Sequence, residues 1–575
     1  MSQDDVAASQ AVPAAPVIHR RVFLRRLATL SLAGASLALM DACSPAPTAT
    51  PTAAAPPAPP AATSGATAAA PRPTTAAAPA GRGTTVLTVG HEADVPNLDP
   101  GQSLGLNSLR VQRLITESLV TTKPNSGEIV PLLAESWETS PDGKEWTFHL
   151  RSGVQFSDGT PFTAESVKQT FERTVIKDNP YYKTGQWSFI VGYLDPLEQA
   201  IVVNDTTLKL QLKYPLASLL AYLALPNLSI LSLKAIQDAG SEIGTKPVGT
   251  GPYVLTAYER GTRIELTRNE RYWGQKGKPD TIVFRPFTED QARVAALLSG
   301  GADVIIPVPP DSIAPIQSSG KASVVEVPGL TSWYVSLNTN KKPLDDRRVR
   351  QALNYAIDKQ SIVRDVLKDT GIVAQGPTPK SSWAFDSQVQ TYDYDPGRAK
   401  QLLTEAGYPN GFAVDFWVPD SGSGMQEPKP MATVIQANLA DVGVRANLQV
   451  LEWGSYLGKL RQQTPDLAAL SWFLKSDDPD LSLFPNFYSK NAPLPNSSGY
   501  NNPEMDKLLV DARSATQQEQ RVQLYHQVLE TLTTDAPWIF IDHEKEIIGV
   551  RQGVDGVVIN PNGYDLRVEN AVVGS

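Results

Sequence analysis

The chain has 575 residues, more than the roughly 250–300 that one hydrophobic core supports, so two or three domains are expected. It is 41% hydrophobic and 19% charged with a formal net charge of −9, which fits a globular protein and argues against a nucleic-acid partner. Its five histidines show no metal-binding spacing, and motifs for a phosphate loop, a nucleophile elbow or a zinc protease are absent from the sequence. The sequence therefore predicts no metal, no cofactor and no catalytic residue.

The N-terminal residues 1–42 have the features of an export signal. Arg20 and Arg21 open a basic segment that resembles the twin-arginine signal. The uncharged apolar run over residues 27–40 is shorter than the roughly 20 residues that a membrane-spanning helix needs, which is typical of a signal peptide. Cys43, the one cysteine of the chain, follows directly and resembles the lipidated cysteine of a bacterial lipobox. We expect a lipoprotein-type signal peptide and lipidation at Cys43; a non-lipidated cysteine beside an ordinary cleavage site is the alternative.

Residues 43–83 form a low-complexity segment that consists mostly of Pro, Ala and Thr. Such a segment cannot bury a core and favours the polyproline II conformation. At about 3.1 Å per residue its reach is on the order of 100 Å. We therefore predict a disordered tether that lifts the folded part away from a membrane surface.

The remainder of the chain alternates strand-like and helix-like patterns, which predicts α/β lobes. Alternating apolar residues over 146–150 predict a half-buried strand, and Thr163 is the expected N-cap of the helix that follows. Asp395 and Asn502 each stand before a proline and an apolar stripe at helical spacing, and the pair Asp345 and Asp346 stands before another such stripe. These three sites predict the beginnings of three further helices.

Five groups of segments, in order along residues 84–550, resemble the extracellular solute-binding proteins of family 5, the oligopeptide, dipeptide and nickel class. The first group is LAESWE (133–138), DG (142–143), WTF (146–148) and LRSGVQFSDG (150–159). The second is PVGTGPY (247–253) with RNERYW (268–273), and the third is WY (333–334), LN (337–338), RRVRQAL (347–353) and AID (356–358). The last two are LLTEAGY (402–408) and GYNNPEMD (499–506).

This resemblance implies a two-lobed α/β fold similar to type II periplasmic binding proteins, with a hinge of two crossing segments. Lobe I would comprise residues 84–330, with an extra subdomain near 126–244, and lobe II residues 331–535. Residues 536–575 would return to lobe I. We expect the crossings near Pro328–Gly329 and near Asp535–Pro537, where proline and glycine interrupt the pattern, and a ligand in the cleft that closes by hinge motion.

In peptide-binding members of the family, a Trp-x-x-Asp element carries the acid that pairs with the α-ammonium group of the peptide. Trp472 and Pro479 match this element, but Lys475 occupies the position of the acid. Either Asp477 or Asp478 binds the ammonium group instead, or the ligand is not an ordinary peptide and Lys475 binds a carboxylate, phosphate or sugar hydroxyl. A register shift that leaves Lys475 on the surface is the third alternative.

The resemblance also implies aromatic and main-chain contacts to the ligand. Trp453 and Trp472 have the spacing of the pocket tryptophans of the peptide binders, and a core position is the alternative for each tryptophan. Main-chain atoms from Leu104 to Leu106 would pair with a bound peptide as an added strand. Further candidate ligand-binding residues are Tyr182, Trp333 and Trp383.

The predicted function is that of the extracytoplasmic substrate-binding component of an ABC importer, which hands a small solute to permease and ATPase subunits. A monomer that is held at the membrane by a lipid anchor and does not bind nucleic acid is expected. An oligosaccharide or another polar solute competes with a peptide as ligand. A sensory receptor without transport, and an enzyme on the same scaffold, are the alternatives from other functional classes.

Overall fold

The computed structural model describes residues 85–574, apart from residues 104, 125–126, 186, 188–190, 423 and 474–475. The predicted signal peptide and the whole of the predicted tether, including Cys43, lie outside the described residues. The strands in chain order are β1 (Val86–His91), β2 (Val120–Thr122), β3 (Ile129–Pro131), β4 (Ala134–Thr139), β5 (Glu145–Leu150), β6 (Leu197–Asn204), β7 (Thr207–Leu212), β8 (Tyr253–Glu259), β9 (Arg263–Arg268), β10 (Thr281–Pro286), β11 (Val304–Ile306), β12 (Ala322–Leu337), β13 (Gly371–Val373), β14 (Phe412–Pro419), β15 (Val444–Leu451), β16 (Leu467–Phe473), β17 (Trp538–Arg551), β18 (Val554–Asp555), β19 (Val558–Ile559), β20 (Leu566–Arg567) and β21 (Val572–Val573). The α-helices are α1 (Leu106–Ile115), α2 (Ala164–Val175), α3 (Val191–Leu194), α4 (Leu219–Leu223), α5 (Leu233–Ala239), α6 (Asp290–Ser299), α7 (Ile313–Ser318), α8 (Arg347–Tyr355), α9 (Lys359–Ser361), α10 (Pro396–Glu405), α11 (Pro428–Asp441), α12 (Trp453–Leu460), α13 (Asp480–Phe487), α14 (Pro503–Ser514) and α15 (Gln518–Asp535).

The helix beginnings predicted from capping residues are confirmed. The side chains of Asp346, Asp395 and Asn502 each accept a hydrogen bond of 2.8–3.0 Å from a backbone N–H two or three residues further on. These caps begin α8, α10 and α14, because each satisfies an N–H group that has no partner inside the helix. Thr163 caps α2, and β5 alternates buried and half-buried residues as predicted.

The described residues form an 11-stranded sheet in the order β15-β14-β16-β12-β17-β11-β1-β10-β9-β8, with β13 also paired to β17. The long strands β12 and β17 lie side by side in the middle of this sheet. One end of the pair lies beside β11, in lobe I, and the other end lies beside β16, in lobe II. Both strands therefore cross from one lobe to the other.

The predicted position of the first crossing, near Pro328–Gly329, coincides with an irregularity in β12. The pairing of β12 with β17 shifts between Pro328 and Ser332, so β12 bulges at this point. A side chain on Gly329 would overlap the carbonyl oxygen of Glu544, so only glycine fits the bulge.

The second crossing lies further along the chain than the predicted position at Asp535–Pro537. Residues 538–543 of β17 still pair with the lobe II half of β12, and the change of half occurs between His543 and Lys545. The sequence signal at Asp535–Pro537 comes from the end of a helix. Helix α15 ends at Asp535, and Ala536 takes a left-handed conformation with φ of 49°. By strand pairing, lobe II therefore extends to about residue 543.

Four large apolar clusters form the cores, one in lobe I, one in its subdomain and two in lobe II. The subdomain contains the four-stranded sheet β4-β5-β7-β6, and helix α2 packs against β6 and β7. In the described part of the chain, every helix is too short or too polar to cross a membrane.

The subdomain contacts lobe II through the buried carboxylate of Asp480, at the start of α13. Its Oδ2 atom accepts hydrogen bonds from the hydroxyl groups of Ser218 (2.7 Å) and Tyr222 (3.1 Å) of the subdomain. The guanidinium group of Arg513, in lobe II, lies 3.5 Å from the same oxygen. Leu481 adds an apolar contact, because it packs into the core of the subdomain. This network holds the subdomain against lobe II.

Substituting Ser218→Ala should lower the free energy of unfolding by about 1.5–3 kcal/mol, because a buried carboxylate loses a hydroxyl donor. The measurement is urea unfolding followed by tryptophan fluorescence. Ser241→Ala, at an exposed position of the same subdomain, is the matched control and should change the midpoint little. Equal midpoints for the two variants would contradict the prediction.

Candidate ligand-binding cleft

The end of β16 contacts lobe I. Phe473 packs against Leu106 and Leu109 of α1 and against Tyr564 near the C-terminus, all three of which are buried. Gly424, in the segment before α11, lies close to Phe473 on the lobe II side. Lobe I and lobe II therefore meet at an apolar contact beside the Trp-x-x-Asp-like element. Leu104 and Lys475, two of the predicted ligand-binding residues, lie outside the described residues.

The structure gives different surroundings to Asp477 and Asp478, the two acids that the sequence left as alternatives. Asp478 is buried and forms two hydrogen bonds of 2.8 Å with the guanidinium group of Arg521. Asp477 remains partly exposed, and its carboxylate lies against Gly127 of lobe I, where any side chain would overlap it. Burial, and then the charge of Asp478, raise the pKa of Asp477 to about 6. Asp477 therefore lies where the lobes meet, whereas Asp478 pairs with a cation of its own lobe.

Three of the four predicted tryptophans pack around one apolar cluster of lobe II. Trp383, Trp453 and Trp472 are all partly exposed and contact this cluster. Trp472 donates its indole N–H to the carbonyl oxygen of Leu481 (3.2 Å), and the guanidinium carbon of Arg521 lies 5.0 Å from the ring centroid of Trp383. The ring of Trp383 therefore lies beside the ion pair of Arg521.

The remaining predicted residues lie elsewhere. Trp333 is buried in the other core of lobe II, and its indole Nε1 atom has no hydrogen-bond partner among the described residues. Tyr182 packs against the core of the subdomain, where its carbonyl oxygen accepts a hydrogen bond from the indole of Trp187 (2.5 Å). Leu106 is buried at the beginning of α1. Ligand binding by the described candidate residues stays a prediction.

Sequence reasoning missed three acids on β17, and we call Asp542, Glu544 and Glu546 the hinge acid stripe. Alternate residues of a strand point to the same face, so the three carboxylates share one face of β17 where it crosses between the lobes. Burial raises the pKa of Asp542 to about 8 and that of Glu546 to about 7. Burial, with the charge of Asp542, raises the pKa of Glu544 well above its usual value. Acids at alternate positions between two apolar runs were the available sequence signal.

Within the described ranges, no group of three or more His, Cys, Asp or Glu side chains is arranged to hold a metal ion. The arrangement at the cleft instead combines aromatic faces, buried carboxylates and a hinge. It can enclose a small ligand that carries both apolar and charged groups.

A model of the bacterial extracellular solute-binding proteins, family 5 Middle, matches residues 128–493. Heme-binding protein A of Haemophilus influenzae is 35% identical over 463 residues, which cover 78% of this chain and 85% of that protein. The dipeptide-binding protein of Escherichia coli K12 is 36% identical over 464 residues, with coverage of 77% and 86%.

Solved structures are similar over the same part of the chain. The periplasmic binding protein DppA of Helicobacter pylori, in complex with the peptide STSA, has a TM-score of 0.76 and 29% identity, and the match covers 84% of this chain and 98% of that one. A dipeptide-binding protein of a Pseudoalteromonas species, in complex with Met-Leu, has a TM-score of 0.78 and 28% identity, with coverage of 84% and 99%. These matches confirm the two-lobed α/β fold of type II periplasmic binding proteins. The chain belongs to the bacterial extracellular solute-binding proteins of family 5.

Proposed function

We propose that this chain is the extracytoplasmic binding component of an ABC importer and that it captures a peptide between its lobes. The observation that carries the proposal is the meeting of the lobes at Phe473 and Asp477, in a protein whose lobes are joined by the crossing strands β12 and β17. Relatives named as a dipeptide-binding protein and as an ABC transporter-associated protein in complex with a peptide support it. Binding would close the hinge around the ligand without changing it chemically.

The residues that contact the peptide are proposed from their position and chemistry. Trp383, Trp453 and Trp472 would pack against its side chains, because exposed aromatic faces accommodate varied apolar groups at little entropic cost. Asp477 would lie at the rim of the cleft. Asp478 would position the site indirectly, since it is engaged by Arg521.

Export and attachment complete the proposal. Residues 1–42 would direct the chain out of the cytoplasm, lipidation of Cys43 would anchor it, and the segment to residue 83 would act as the tether. A monomer on such a tether can reach permease and ATPase subunits in the same membrane. The spacing of the basic, apolar and cysteine segments supports this part.

Isothermal titration calorimetry of the purified protein against a tripeptide library and against maltooligosaccharides tests the proposal. We expect one peptide bound per chain and the peptide recovered intact. Trp472→Ala should weaken binding at least tenfold, whereas Tyr394→Ala, an exposed aromatic residue, should leave it unchanged. Binding of the oligosaccharides alone would replace the peptide assignment, and turnover of a bound peptide would contradict a transport role.

A further inference from the structure

The hinge acid stripe is almost completely removed from water. The exposed fractions of Asp542, Glu544 and Glu546 are 0%, 6% and 8%. An ionised carboxylate that leaves water loses several kcal/mol of solvation unless a cation or several hydrogen bonds replace the water. Buried acids without such partners are therefore rare in a core that serves only packing.

The described surroundings supply few such partners. No lysine or arginine among the described residues forms an ion pair with the stripe. Both carboxylate oxygens of Asp542 lack a hydrogen-bond partner there, and Glu544 accepts one hydrogen bond, from the backbone N–H of Gln426 (3.1 Å). The guanidinium group of Arg110 acts on Glu546 through its charge but forms no ion pair with it, because it donates to the carbonyl oxygen of Gly563 and to the side chain of Asn107, both at 2.8 Å.

The indole of Trp333 is a second buried polar group beside Asp542. Trp333 lies directly opposite Asp542 in the pairing of β12 with β17, so the two side chains share a face of the sheet. The indole of Trp333 is 1% exposed, and its Nε1 atom also lacks a partner among the described residues. The Asp542 carboxylate and the Trp333 indole are thus two neighbouring buried polar groups without hydrogen-bond partners among the described residues. This arrangement indicates that a polar molecule completes their hydrogen bonding.

The stripe spans the hinge, and glycines flank both of its ends. In lobe II, a side chain on Gly371 would come within 2.7 Å of the Asp542 carboxylate, and in lobe I a side chain on Gly563 would come within 2.6 Å of the Glu546 carboxylate. Glu546 also interacts electrostatically with Arg110 and Glu92 of lobe I. Gly563 directly precedes Tyr564, which belongs to the contact between the lobes at Phe473. The stripe therefore runs along the part of β17 that crosses between the lobes, and its Glu546 end lies beside the chain segment that forms the contact between the lobes.

We propose that the hinge acid stripe binds the ammonium group of the captured peptide, whether that group is the N-terminus or a lysine side chain. This inference rests on the proposed function and names the feature that selects the ligand. An ammonium group carries three donors and one positive charge, which match carboxylates that lack cationic partners. The sequence element that usually carries the ammonium-binding acid has Lys475 in its place, so another acid must serve a peptide with a free amine.

The groups around the hinge acid stripe couple the binding of a cation to the release of protons. The groups that face the stripe are the guanidinium of Arg110 and the carboxylate of Glu92 from lobe I, and the backbone N–H of Gln426 from lobe II. Burial raises the pKa of Asp542 to about 8 and that of Glu546 to about 7, so near pH 7 Asp542 is mostly protonated and Glu546 is about half protonated. A bound cation favours the ionised form, so binding releases protons and tightens between pH 6 and pH 8.

The test compares the peptides Ala-Ala-Ala, N-acetyl-Ala-Ala-Ala and N-acetyl-Lys-Ala-Ala by calorimetry. At least one ammonium-bearing peptide should bind tenfold or more tightly than N-acetyl-Ala-Ala-Ala, and the peptide that does so identifies the ammonium source. Glu546→Gln and Asp542→Asn should remove most of this preference. Glu326→Gln, an exposed acid on the other hinge strand, is the matched control and should retain it. Proton release, measured in two buffers of different ionisation enthalpy, should accompany the preference.

Other outcomes separate this inference from the proposed function. Equal affinity for the three peptides would overturn the inference and leave peptide capture standing. Loss of the preference in Asp477→Asn, with the preference intact in the stripe variants, would assign the ammonium group to the rim of the cleft and also overturn it. No binding by any of the three would overturn both proposals. If Asp542→Asn fails to fold, Glu546→Gln and Glu544→Gln give the same comparison.

Discussion

Substituting Arg173→Met is expected to lower the free energy of unfolding by about 3–5 kcal/mol. Arg173 of α2 and Asp99 are joined by an Nη2–Oδ1 contact of 2.5 Å and an Nη1–Oδ2 contact of 3.2 Å, and both side chains are completely buried. The guanidinium group also lies over the ring of Trp187, with its carbon 4.9 Å from the ring centroid. Methionine would fill much of the space but would leave the Asp99 carboxylate buried without its cation. That uncompensated charge, rather than lost packing, causes the predicted loss of stability.

The double variant Asp99→Asn with Arg173→Met separates these causes. It removes both charges, so it should recover a large part of the stability that the single variant loses. Arg398→Met, at an exposed position on α10, is the matched control and should cost less than about 1 kcal/mol. The measurement is urea unfolding of all four proteins. A loss below about 1 kcal/mol in Arg173→Met would contradict the prediction.

The structure that the sequence predicted best is local. Asp346, Asp395 and Asn502 cap helices because the donor lies two or three residues away in the chain, so the pattern contains the whole interaction. The crossing predicted near Pro328–Gly329 also rested on a local signal, since proline and glycine interrupt a strand pattern where they stand, and the structure has a bulge there.

Interactions between distant segments were not predictable from one sequence. Asp478 and Asp477 are neighbours in the chain, yet only the fold brings Arg521 to Asp478 and Gly127 to Asp477. The second crossing was misplaced because a left-handed Ala536 ends a helix without ending the lobe. The spacing of residues along the chain does not specify which strands become neighbours in the sheet.

The hinge acid stripe shows a different limit of prediction from the sequence. Acids at alternate positions of a strand usually indicate a face that is exposed to solvent. Here β17 is covered on both faces because it lies in the middle of the large sheet and passes between the two lobes. The position of the strand, and not its residue pattern, makes these acids unusual.

Between pH 5 and pH 7, the ligand-free protein is expected to lose about 3 kcal/mol of stability through Asp542 alone. The pKa of this acid rises from an ordinary value of 3.8 to about 8 on folding, because burial disfavours the charged form. In this range the folded state holds a proton that the unfolded state has released. The free energy of unfolding therefore falls by about 1.4 kcal/mol per pH unit as pH rises, from the unfolded pKa up to the folded pKa.

Substituting Asp542→Asn isolates this contribution, because an amide keeps the shape of the protonated acid but does not titrate. The variant should match the unsubstituted protein below the unfolded pKa of 3.8 and exceed its stability increasingly from there toward pH 8, as measured by thermal unfolding without ligand. Glu326→Gln, an exposed acid on β12, should give a curve parallel to that of the unsubstituted protein. The neighbouring Glu544 and Glu546 have pKa values raised in the same direction, so each should add to the decline rather than offset it. A parallel curve for Asp542→Asn would mean that this carboxyl group keeps its ordinary pKa in the fold, and that a cation already lies beside it.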